Sequence, residues 1–160
     1  MPQEKYEREF KKGALNKFET ILGRIQKRNA CGIIYNMSEA SMISFRLQYE
    51  HKKRIIPIDG QHFYSYSLLR LALGKIFNVK NMQLENVPPR IGDAIIYIHH
   101  ADHLQSSIVR FLDECNKLKI PVMLLFKSID SVKVLRNYSD YYRFLTIEQD
   151  FSEYYKIIKN

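Results

Sequence analysis

Cysteine is scarce in this chain: Cys31 and Cys115 stand far apart in 160 residues, with no CxxC or other ligand spacing. That excludes a disulfide framework and a thiolate zinc site, and it predicts two buried thiols in a reduced compartment. Long apolar runs are missing too, since none approaches the roughly 20 residues that a bilayer span requires. The opening stretch MPQEKYEREFKK is charged throughout, where a signal peptide needs an apolar core. The expectation is a soluble, cytoplasmic protein with no membrane contact. No internal repeat, low-complexity tract or linker divides the sequence. Its length suits one domain, since domains run to roughly 100 to 150 residues. An N-terminal helical segment, residues 1–29, is expected to pack on an α/β domain formed by residues 30–160.

What is present is a globular composition, 46% hydrophobic and 12% aromatic, which excludes global disorder. Lys and Arg outnumber Asp and Glu by 25 to 17, giving a net charge of +8. Anionic partners such as nucleic acid are therefore attracted before any specific contact forms. Two basic stretches stand out. One is the face of the first helix, with Lys11, Lys12, Lys17, Arg24, Lys27 and Arg28. The other is the run His51, Lys52, Lys53 and Arg54. Both are candidates for contact with DNA or an acidic partner, and both also read as solvated surface.

The apolar pattern alternates helix and strand. Tyr6, Phe10, Leu15, Phe18, Leu22 and Ile25 predict a helix over 4–28, with Gly13 a candidate break. Strands are predicted at 31–35, 54–58, 94–98, 120–126 and 143–147, with helices at 42–51, 64–77, 102–118, 131–137 and 151–158. Pro57 lacks a donor and so puts the second strand at a sheet edge. Ala94 to Ile98 is unbrokenly apolar, which marks a central strand covered on both faces. This alternation predicts a three-layer α/β/α sandwich around a mostly parallel five-stranded sheet.

The first strand, loop and helix have the layout of a phosphate-binding loop, whose chemistry needs G-x-x-x-x-G-K-[ST]. Those positions fall on Asn36, Ser41, Met42 and Ile43, and none matches. Ser44 is one residue late, and Glu39 puts negative charge where a triphosphate would sit. No nucleotide or other cofactor is expected.

The segments GIIYNMSEASMISFRLQYE, RIIPIDGQHFYSYSLLRLALGKIFNV, AIIYIHHADHL and IPVMLLFKS resemble the core of AAA+ ATPases of transposition systems, the phage Mu target-selection ATPase and its TniB-like relatives. The resemblance rests on the strand, loop and helix at the phosphate-loop position, the helix Ser65 to Ile76, and Ala101-Asp102-His103-Leu104 after the apolar strand. It implies a P-loop-type sheet of order 5-1-4-3-2, without the lid domain. It also implies DNA, an AAA+ or transposase-like protein, or further copies of the chain as partners. The family's magnesium Asp and catalytic Glu correspond to His99 and His100, so the resemblance implies a pseudo-ATPase with no catalytic residue. Ser128 corresponds to a polar sensor position and also reads as a turn residue. Arg143 lies near a position where relatives carry a subunit-boundary arginine.

Two other readings compete. One is a protein adaptor or inhibitor of an active AAA+ relative that makes no DNA contact. The other is a metal-dependent enzyme built on His99, His100, Asp102 and His103, in which His99 and His103 stand one helical turn apart and Asp102 adds a carboxylate. Against the metal stands strand alternation, which sends His99 and His100 to opposite faces, and the lack of a distant further ligand. On the structural reading, Asp102 caps the following helix.

Overall fold

The computed structural model describes residues 2–28, 31–80, 82–136 and 145–152. The chain forms α1 (Pro2–Arg28), β1 (Cys31–Tyr35), α2 (Glu39–His51), β2 (Ile55–Asp59), α3 (Tyr66–Ile76), α4 (Pro88–Ile91), β3 (Ile95–His99), α5 (Ile108–Lys117), β4 (Val122–Leu125), α6 (Ile129–Arg136) and β5 (Leu145–Asp150). Short 3-10 turns stand at Leu84–Asn86 and Ala101–His103.

The five strands are parallel throughout and lie in the order β2-β3-β4-β1-β5, which read from the β5 edge is 5-1-4-3-2. Alternate residues of β1, β2, β3 and β4 feed two separate cores. Ile96, Ile98, Val122 and Leu124 pack with Leu69 and Leu73 of α3 and with Phe111 and Leu112 of α5. Ile95, Tyr97, Met123 and Leu125 pack on the other face with Phe18 and Leu22 of α1 and with Met42 and Phe45 of α2. Helices therefore cover both faces, which is why these strands are apolar without alternation. Phe18 is fully buried and stacks on Phe45 at 4.4 Å. Burying a side chain of that size contributes about 1.5–3 kcal/mol.

The sheet edge at β2 has a specific construction. In a parallel strand the N–H and C=O of one residue point to the same side. The Arg54 carbonyl accepts from Ile95 and the Gly60 N–H donates to His99, so even-numbered residues face β3. Pro57 therefore turns its donorless nitrogen outward and removes nothing from the ladder.

Some sequence expectations shift. The first helix runs unbroken past Gly13. The helix expected from Asp102 starts six residues later, at Ile108, after a 3-10 turn at Ala101–His103, and Asp102 does not cap it. Its carboxylate accepts instead from the N–H groups of Lys127 at 2.7 Å and Ser128 at 3.1 Å, tying the turn after β3 to the loop after β4. Ser65 does cap α3, accepting from the Leu68 N–H at 3.2 Å. The expected final helix and Arg143 lie outside the described residues, apart from Phe151 and Ser152. Both cysteines are buried, and burial pushes the Cys31 thiol up to about 12 and Cys115 well above its ordinary value. Among the described residues, no helix is long and apolar enough to cross a membrane.

Candidate functional site

Ligands of open parallel sheets bind beyond the carboxyl ends of the strands. In this molecule that end is a small polar cluster. Register pairs Asp59, the last residue of β2, with His99, the last of β3. His99 lies on the α1/α2 side, where its ring approaches Tyr97 at 6.0 Å. His100 would alternate to the opposite face, but its backbone is left-handed, with φ of 55°. That turn swings its imidazole back beside its neighbour's, and the two Nδ1 atoms stand 2.9 Å apart.

His100 is the hub. Its Nδ1 lies 3.2 Å from Asp59 Oδ1, and its Nε2 lies 3.1 Å from Glu39 Oε1. Glu39 opens α2, and its other oxygen accepts from Lys127 Nζ at 3.2 Å. The Asp59 carboxylate also accepts from the Gln61 N–H at 2.9 Å. Gly60 is required between them, because a Cβ there would stand 2.6 Å from the His100 carbonyl oxygen.

Charge is distributed accordingly. Burial lowers His99 to about 4, against the pull of Asp59 and with help from His100 and Arg46, so its ring is neutral near pH 7. Burial alone would raise Asp59. The Gln61 N–H and the two imidazoles outweigh it and leave the carboxyl below its usual range. Hydrogen bonds from His100 and then Lys127 hold Glu39 low.

The four phosphate-loop positions do not converge. Only Asn36, Met37 and Ser38 separate β1 from α2, too few to wrap phosphates. Asn36 donates to Asp150 Oδ1 at 3.0 Å, and the Met37 N–H is spent on the Phe126 carbonyl. Ser41 is buried and bonds Ser38, Met42 is fully buried in the core, and Ile43 points outward. Ser128 serves as a turn residue, its hydroxyl accepting from the Asp130 N–H at 3.0 Å.

The metal set read from the sequence is redrawn. His99 and His100 come together, whereas Asp102 is committed to the β4 loop and His103 faces Gln61 at 3.5 Å. Asp59 takes their place, and its ligand atom and those of His99 and His100 lie within 4.8 Å of one another. The order 5-1-4-3-2 held the signal for Asp59, because it sets the ends of β2 and β3 side by side. Glu39 was legible only as a charge opposed to phosphate.

The basic candidates lie at the opposite, amino end of the sheet. Arg24, Lys27, His51, Lys52 and Lys53 are exposed there, while the Arg28 side chain lies outside the described residues. Arg54 is less available than its sequence suggests, because it pairs with Glu19 and lies 5.6 Å from the Tyr49 ring centre.

No protein-family model matches this chain, and no curated protein is significantly similar to it.

Proposed function

We propose that this chain is a non-catalytic binding protein, built on a P-loop-type scaffold like that of the transposition ATPases and working through its surfaces. The observation that carries this reading is the three-residue connection Asn36–Ser38, with Met37 buried and Glu39 at the start of the helix. A triphosphate there would find neither backbone donors in a wide loop nor a lysine within it, and it would meet the Glu39 carboxylate, with which the nearby Lys127 is paired. The positions that would carry the magnesium Asp and the base are His99 and His100; the nitrogens of His100 are turned to Asp59 and Glu39, and His99 Nδ1 faces His100 Nδ1.

The partner this reading assigns is DNA of a mobile element or phage, met at the basic amino end of the sheet by Arg24, Lys27, Lys52 and Lys53. The net charge of +8 supports it. Fluorescence anisotropy with a labelled duplex should show affinity falling roughly 100-fold between 50 and 200 mM salt for about four phosphate contacts. Lys52→Glu with Lys53→Glu should flatten that dependence. Absence of binding at 50 mM salt would sink the DNA assignment, and micromolar binding of magnesium ATP would sink the pseudo-ATPase reading.

One observation favours a protein partner instead. Ile43 and Leu47, one turn apart on α2, are 47% and 62% exposed. An AAA+ or transposase-like protein, or a second copy of this chain, docked on that strip would give complexes that tolerate salt and fail with Leu47→Asp.

A further inference from the structure

Beyond the binding role and independent of it, we infer that Asp59, His99 and His100 hold one divalent ion of the zinc class, with a fourth position open to solvent. The three groups come from two adjacent strand ends that the sheet fixes in register, Asp59 opposite His99. The left-handed turn at His100 brings the second imidazole to the same side.

The Nε2 of His100 is turned to Glu39, 3.1 Å away, which leaves Nδ1 as the atom that faces the site. That Nδ1 stands 2.9 Å from His99 Nδ1 and 3.2 Å from Asp59 Oδ1, so the nitrogens of two buried imidazoles and one carboxylate oxygen meet at one place. The three ligand atoms lie within 4.8 Å of one another, close enough for one cation to bond all of them.

The dimensions agree. Zinc bonds of about 2.0–2.2 Å in a tetrahedron place ligand atoms roughly 3.3–3.5 Å apart; the observed 2.9 and 3.2 Å separations open to that by a few tenths of an ångström, and the third, between His99 and Asp59, lies within 4.8 Å. Two imidazoles with one carboxylate suit zinc, cobalt or iron, whereas magnesium and calcium want oxygen throughout. The Glu39 contact is the carboxylate–imidazole arrangement that orients a ligating histidine and raises its basicity. Asp59, with its side chain 26% exposed, leaves a path for water to the remaining position.

The test is a titration of the purified, chelator-treated chain with Co2+, followed by visible absorption and then by displacement with Zn2+. One equivalent should give the absorption of a low-coordinate cobalt centre, and zinc should abolish it. His100→Ala and Asp59→Asn should remove the signal, with folding checked by circular dichroism, while His103→Ala should keep it. Glu39→Gln alters a side chain that is 53% exposed and so leaves the fold intact. It should weaken cobalt binding roughly 10- to 100-fold. No cobalt absorption in the parent chain, uptake that survives both ligand substitutions, or an unchanged affinity in Glu39→Gln would each overturn the proposal.

Discussion

His99 and His100 are neighbours in the chain, and their Nδ1 atoms are also neighbours in space, 2.9 Å apart. Along a regular strand, consecutive side chains point to opposite faces. The pair meets only because His100 has left the strand and taken φ of 55°. A non-glycine residue in that region carries a backbone cost of roughly 1–2 kcal/mol, which the surrounding contacts to Asp59 and Glu39 offset.

Acid should destabilise the metal-free chain earlier than its carboxylates alone would dictate. His99 falls from its ordinary 6.5 to about 4 in the fold. The unfolded chain therefore takes up the proton first, so the stability tied to the neutral ring is complete above 6.5 and is lost as pH falls toward 4. Glu19, Glu39 and Asp59 are all held low, so their contributions disappear only below the ordinary carboxylate range. Urea midpoints measured with EDTA present should drop between pH 6.5 and 4.5, and His99→Gln should flatten that drop.

Gly60→Ala should cost about 1–3 kcal/mol, because the new methyl meets backbone and no flexible side chain can yield. The group it meets is the His100 carbonyl, so the damage lands on the histidine turn itself. Thermal unfolding should show a fall of several degrees. A melting point equal to that of the parent would contradict the close approach.

Lys119→Gly should stabilise the chain by about 1 kcal/mol. Lys119 ends α5 at φ 58°, with its N–H on the Asn116 carbonyl and the Ile120 N–H on the Cys115 carbonyl. This is the helix-ending motif that glycine ordinarily occupies. Denaturant unfolding checks the gain, and a loss of stability would show that the lysine side chain has a role that its backbone does not reveal.

The same feature explains where the sequence was hard to read. Three helices end on left-handed residues that are not glycine, Lys53 after α2, Asn78 after α3 and Lys119 after α5. The usual stop signal is absent at both lysines, and at Asn78 it is present in its weaker form. Strands were easier, because Ile95 to Ile98 and Val122 to Leu125 are buried on both faces and leave an apolar run that no helix of that length would carry. The site was legible by halves. His99 and His100 stood out at the end of a central strand, but Asp102 looked like their partner through nearness in the chain. Asp59 is their partner through nearness across the sheet. Only pairing β2 with β3 separates those two carboxylates, and the left-handed turn at His100 has no sequence signature.

The proline at the middle of β2 reaches beyond the single molecule. A sixth strand approaching that edge, from another copy or from an unfolded neighbour, would find no donor at its centre and could not zip along it. Growth of the sheet from one chain to the next is blocked on that side, so any assembly that uses it must be held by side chains and helices, with the backbone ladder left closed.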